Sequence, residues 1–109
     1  MMAQRPGTSE MRTELADLER DLRRLKSDLG QLEIDYKMFF AGQRTRPPYA
    51  LRSTVEALVR RLDRTPIQGS GERFRFNTLQ HRLRTFVNLW DREVRAREEG
   101  RPGVFSRPT

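Results

Sequence analysis

Apolar residues recur along the first third of the chain in steps that alternate between four and three residues. The alternation continues unbroken from Met11 to Phe39, which is typical of a heptad seam about four heptads long on a single helix. The spacing predicts a helix over about residues 10–40, with Leu15 at heptad position a and Leu18 at position d. The predicted helix-pairing seam comprises Leu15, Leu18, Leu22, Leu25, Leu29, Leu32, Tyr36 and Phe39.

Two further helical stripes follow, over about residues 48–64 and 73–99. Proline and glycine residues separate the three segments, and Gly42 suits the position just after the first helix. The second helix starts at Pro48 or Tyr49, or alternatively at Ser53, and the start of the third stays open between residues 72 and 78. The apolar residues that we expect to form the core of these two helices are Leu51, Val55, Leu58, Leu62, Phe76, Leu79, Leu83, Phe86 and Trp90.

This pattern predicts an all-α protein in which a long N-terminal coiled-coil helix packs with two shorter helices as a small helical bundle. With 109 residues, the chain has room for one domain, which we expect over residues 10–99. Residues 1–9 and 100–109 lack a helical pattern and are expected to be a flexible N-terminus and a flexible tail. A mean hydropathy of −0.85 also favours an elongated helical shape.

Charged residues flank the predicted seam unevenly. Between residues 14 and 35 the e and g positions are acidic with one exception, Lys26; these positions are Glu14, Glu19, Asp21, Lys26, Asp28, Glu33 and Asp35. A homodimer that paired two copies of this seam would mostly place acid against acid, at a cost of a few tenths of a kcal/mol per exposed contact. We therefore expect the seam to pack on the basic-flanked second and third helices, within the chain or across a dimer.

The positive charge lies in the C-terminal two thirds of the chain. Residues 1–40 carry seven basic and eight acidic side chains, net −1, whereas residues 41–109 carry fifteen and seven, net +8. These arginines would either hold phosphates or neutralise the acidic flanks of the first helix while their stems cover apolar surface. The candidate anion-binding residues are Arg44, Arg46, Arg60, Arg61, Arg64, Arg73, Arg75 and Arg82.

Candidate catalytic chemistry is sparse. The chain has no Cys and a single His, His81, which falls among polar neighbours away from the apolar stripe. Its carboxylates sit mostly beside arginines at helical spacing, as in Glu19–Arg23 and Asp91–Arg95. No acid pair in an apolar setting, metal motif or phosphate loop is present, so we expect no enzyme, cofactor, metal or small-molecule substrate.

Aromatic residues interleaved with arginines in the third helix also suit stacking on single-stranded nucleic acid. Most of them lie on the apolar stripe and are better assigned to the core. Phe74 lies off that stripe and is the best candidate for an exposed aromatic ring.

Two stretches resemble the motif region of a family of small uncharacterised bacterial helical proteins and C-terminal domains. The first joins Met38-Phe39-Phe40-Ala41-Gly42 to Arg46-Pro47-Pro48, and the second runs from Phe74-Arg75-Phe76-Asn77-Thr78-Leu79-Gln80 through Leu89-Trp90-Asp91 to Arg97-Glu98-Glu99-Gly100-Arg101-Pro102. The resemblance covers about residues 32–105. It implies a recurring bacterial helical module and no activity.

The function expected from the sequence is that of a non-enzymatic assembly or adaptor module. Its first helix would bind a protein partner or a second copy of the chain. The alternative is a basic protein associated with nucleic acid or the ribosome, which uses the C-terminal two thirds. No apolar run approaches the length of a membrane span and no secretory signal is evident, so a cytoplasmic location is expected. The acidic first helix also argues against adsorption to an anionic membrane.

Overall fold

A computed structural model describes residues 8–100 of the chain and the side chains of residues 10–100. It contains three α-helices, α1 (Thr8–Phe40), α2 (Tyr49–Asp63) and α3 (Ser70–Glu98), and no strand within the described residues. The predicted all-α fold, with a long first helix packed against two shorter ones, is confirmed. Of the two ends expected to be flexible, residues 1–7 and 101–109 lie outside the described part.

Helix α1 is the spine of the bundle, because α2 and α3 both pack on it and touch each other only weakly. Arg61 near the end of α2 reaches Asp21, and Arg52 near its start reaches Tyr36, so α2 runs antiparallel to α1. Helix α3 runs parallel to α1. Three arginines along α3, Arg75, Arg82 and Arg97, contact residues of α1 that follow one another in the same direction: Glu19, Glu33 and the carbonyl of Phe40.

The core fills the space between the three helices over the length of α2. It is built by the predicted stripes together with Ile67 from the α2–α3 connection, and its buried members are Leu22, Leu25, Leu29, Leu32, Tyr36, Phe40, Val55, Leu58, Val59, Leu62, Ile67, Phe76, Leu79, Leu83 and Trp90. Full burial of each large apolar side chain contributes about 1.5–3 kcal/mol.

The helix ends follow the local chemistry of the chain. Gly42 has φ +81°, and its N–H and that of Gln43 donate to the carbonyls of Phe39 and Met38, which is a Schellman motif that ends α1. Helix α3 begins at Ser70, before the range suggested by the sequence. Gly69 is the N-cap, Ser70 and Gly71 form the start of the first turn, and the carboxylate of Glu72 in that turn lies against Gly69.

Helix length and hydropathy also bear on membrane insertion. None of the helices in residues 8–100 combines the length and the apolar character that crossing a bilayer requires.

Candidate functional site

The heptad seam of α1 is divided into a buried part and an exposed part. Leu22, Leu25, Leu29, Leu32 and Tyr36 are fully buried, and Phe39 is half-buried. Towards the N-terminus the exposure rises, because the ion pairs that join the end of α2 and the start of α3 to α1, Arg61–Asp21 and Arg75–Glu19, reach no further along it than Glu19. We call residues 10–18, which precede these ion pairs, the overhang.

The overhang presents the first residues of the seam to solvent. Met11 is 62% exposed and Leu15 is 49% exposed, while Leu18 is half-buried against the core. An apolar stripe on a helix stabilises that helix chiefly when it is packed against another element. The overhang therefore has apolar residues spaced as in a helix that pairs with another helix. No helix within the described residues covers Met11 and Leu15.

Five of the six acidic residues that flank the seam of α1 are paired within the chain, and Glu14 forms no ion pair with any described residue. Glu19 accepts from Arg75 at 2.7 Å, and Arg61 lies 2.8 Å from Asp21. Farther along, the Arg82 guanidinium binds Glu33 through two nitrogens, with Nε at 2.7 Å from Oε1, and Arg44 lies 3.1 Å from Asp35. Asp28 instead pairs with Arg24 of the same helix. The charge complementarity expected between α1 and the basic helices is thus present in a single chain.

This pairing divides the eight candidate anion-binding arginines into two groups. Arg44, Arg61, Arg75 and Arg82 hold the carboxylates of α1. Arg46, Arg60 and Arg64 form no ion pair with any described residue, and the Nε of Arg73 donates to the carbonyl of Ile67 at 3.4 Å.

One end of the bundle therefore retains a small basic surface. Arg60 and Arg64 lie in the last turn of α2 or just after it, and Arg73 lies in the first turns of α3 beside Phe74, whose side chain is 71% exposed. The remaining aromatic residues of α3 pack inward: Phe76 and Trp90 are buried and Phe86 is half-buried.

A polar cluster around Arg52, near the start of α2, was not predicted from the sequence. The Arg52 guanidinium donates to both carboxylate oxygens of Asp91, at 2.7 and 3.0 Å, and to the hydroxyl of Tyr36 at 3.0 Å. It therefore links all three helices, and in particular α2 to α3. Burial raises the pKa of Tyr36, whereas the bond from Arg52 lowers the pKa of Asp91.

The expected partners of two acids differ from those in the structure. Asp91 pairs with Arg52 and not with Arg95, and Glu19 pairs with Arg75 and not with Arg23. Helical spacing offered nearby partners, but the packing of α2 and α3 on α1 brought arginines from distant parts of the chain within bonding distance. The position of Arg52 beside the apolar stripe was the one available sign that it faces the interior.

A groove of about 810 Å³ runs between α1 and α3, and no residue of α2 lines it. It is lined by Arg23, Lys26, Ser27, Gly30, Gln31, Glu33, Ile34, Lys37, Phe40, Phe86 and Trp90. Ile34 is 53% exposed, and a Cβ placed on Gly30 would meet nothing within 4 Å. The wall is therefore partly apolar, and its α1 side carries both lysines of the chain.

The single histidine of the chain lies away from the groove. His81 is exposed on α3 and does not line it. Within residues 8–100, no three His, Cys, Asp or Glu side chains are grouped to hold a metal ion.

Comparisons with protein-family models, with curated proteins and with solved structures gave no match to this chain.

Proposed function

We propose that this protein is a non-enzymatic, cytoplasmic assembly or adaptor module that pairs with another helix through the overhang of α1. The observation that carries the proposal is the exposure of Met11 and Leu15, which continue the buried seam without a change of spacing. Burying two such side chains against a partner helix would contribute a few kcal/mol, at about 25 cal/mol per Å² of apolar surface.

The division of the seam supports this function because it separates folding from pairing. The buried seam from Leu22 to Tyr36 forms the core with α2 and α3, and Met11 and Leu15 are not part of that core. The helix of the overhang is continuous with the folded part of α1, so a partner would meet a preformed helical turn and less ordering entropy would be lost on binding.

The proposal is tested by placing a photoactivatable benzoylphenylalanine at Leu15 in cells and identifying the crosslinked product by mass spectrometry. We expect one defined protein product, joined through a helical segment. A probe at His81, which is also exposed on a helix but lies outside any apolar stripe, serves as the control. Equal labelling from both positions, or no product from Leu15, would contradict the assignment of the overhang as the pairing surface.

A second candidate function is binding of single-stranded nucleic acid at the end of the bundle where α2 meets α3. The observation that favours it is the exposed ring of Phe74, next to Arg73 and near Arg60 and Arg64. An aromatic ring beside free guanidinium groups can stack on a base while the cations neutralise phosphates.

This second function is tested by fluorescence anisotropy with short labelled DNA and RNA at about 50 and 200 mM salt. We expect binding that weakens steeply with salt and that Phe74→Ala weakens at both salt concentrations. Tyr49→Ala removes another exposed aromatic ring far from this end and is the matched control. Absence of binding at the lower salt concentration would refute the nucleic-acid function and leave the first proposal unaffected.

A further inference from the structure

Helix α1 exposes apolar side chains to solvent at two places. One is the overhang, with Met11 and Leu15 at its surface, and the other is the groove beside Ile34. They occupy different stretches of the same helix, separated by the level at which α2 and α3 first pack on it.

The two surfaces have opposite charge. The overhang, residues 10–18, carries three acidic side chains and one basic side chain, and Glu10 and Glu14 form no ion pair with any described residue. The groove is rimmed by Arg23, Lys26 and Lys37, which likewise form no ion pair with a described residue. The one acid that lines it, Glu33, is already bound to Arg82. The groove therefore suits an acidic helix with an apolar stripe.

The overhang is short enough to lie within the groove. At about 1.5 Å per residue, residues 10–18 span about 14 Å, and the lining from residue 23 to residue 37 spans about 22 Å. Gly30 lies at the middle of that lining and leaves open space where a side chain would otherwise stand. A branched apolar side chain such as Leu15 could enter this recess.

We propose that the groove of one chain receives the overhang of a second copy of the same chain. This inference rests on the proposed pairing function and names its partner. Because both surfaces lie on α1, two chains can dock reciprocally when their α1 helices run antiparallel about a twofold axis near residue 22, midway between Leu15 and Gly30. Such a contact closes on itself and gives a dimer with two equivalent docking sites.

Charge favours the overhang over the other segments of the chain that could occupy the groove or cover the overhang. Pairing two overhangs seam to seam would leave acids such as Glu14 near one another without using the cations of the groove. The C-terminal segment 101–109 offers Val104 and Phe105, but its charged side chains are Arg101 and Arg107, which the rim of the groove would repel. The acidic overhang is complementary to the rim.

The experiment measures the mass of the full chain by sedimentation equilibrium over a hundredfold range of concentration. We expect a dimer, and at least a tenfold rise in its dissociation constant for Leu15→Glu, which alters the overhang, and for Gly30→Trp, which fills the groove. Leu15 and Gly30 both lie outside the buried core, and a Cβ at Gly30 meets nothing within 4 Å. An equimolar mixture of the two variants should dimerise more tightly than either alone, because it combines one intact overhang with one intact groove.

A matched control is His81→Glu, which makes the same kind of charge change on exposed α3 and should leave the dimer intact. Circular dichroism checks that each variant keeps its helical content. Since the chain has no Cys, the double variant Leu15→Cys/Gly30→Cys adds an independent measurement: oxidation should join two chains, whereas Leu15→Cys/His81→Cys should not.

Three results would overturn the proposal. A chain that stays monomeric at every concentration would overturn self-docking. If the Leu15 crosslinking probe then captured a different protein, the proposed pairing function would still hold, with that protein as the partner. A dimer lost in Leu15→Glu but unaffected by Gly30→Trp would indicate seam-to-seam pairing. Dimerisation that appears only after residues 101–109 are removed would assign the groove to the chain's own C-terminal segment.

Discussion

Replacing leucine by alanine at two positions of the seam should lower the free energy of unfolding by very different amounts. Leu15 and Leu29 both occupy the apolar stripe of α1, but Leu29 is fully buried whereas Leu15 is 49% exposed. We expect Leu29→Ala to lower the free energy of unfolding by about 3 kcal/mol, within the range for truncation of a core leucine, because it removes buried methyl groups and leaves a cavity. Leu15→Ala should cost less than about 1 kcal/mol, since half of its surface already contacts water.

Urea denaturation followed by tryptophan fluorescence measures both values. Trp90 is the single tryptophan, is 2% exposed and stacks 4.1 Å from the ring of Tyr36, so its emission reports loss of the bundle. For a domain of this size, about 3 kcal/mol corresponds to a fall of roughly 12–24 °C in melting temperature. The measurement belongs at low protein concentration, where a contribution of Leu15 to dimerisation is small. Equal costs at the two positions would refute the division of the seam into core and overhang.

Three further changes test other parts of the structure. Asp91→Asn should cost about 0.5–1 kcal/mol at pH 7, because the carboxylate is half exposed. Since Arg52 lowers the pKa of Asp91, that cost should decline as the pH falls from the unfolded value of about 3.9 through the lower folded value, and a cost that rose on acidification would contradict it. Gly30→Ala should raise the free energy of unfolding by up to about 1 kcal/mol in urea titrations, because the helix gains a residue of higher propensity in open space; destabilisation would show that the site is not open. Glu33→Lys should lower the melting temperature by placing a cation against Arg82, and more so at low salt; a loss independent of salt would argue against an ion-pair origin.

The arrangement of the bundle suggests where its cooperativity arises. Helices α2 and α3 contact α1 extensively but each other only weakly, so either of them could loosen separately. Arg52 opposes this because one guanidinium group bonds Asp91 of α3 and Tyr36 of α1. The stacked rings of Tyr36, Trp90 and Phe86 extend the contact between α1 and α3 beside it.

The amino-acid sequence alone determined the helices and their buried faces. Unbroken steps of three and four residues require a helical repeat, and proline or glycine at the breaks separates the segments, so the all-α fold could be predicted from local pattern. The acidic residues that flank the seam of α1 also predicted that this helix would pack on the basic second and third helices, because those were the complementary surfaces in the chain.

The tertiary structure alone decided how each surface is used. The spacing of Leu15 and Leu29 along the seam is equivalent, and only the lengths and positions of α2 and α3 leave one exposed and bury the other. Which arginine meets Asp91, and where Gly30 opens a groove, likewise depend on contacts between residues far apart in the chain. Local periodicity specifies which face of a helix is apolar, but the relative placement of the helices determines which part of that face remains available to a partner.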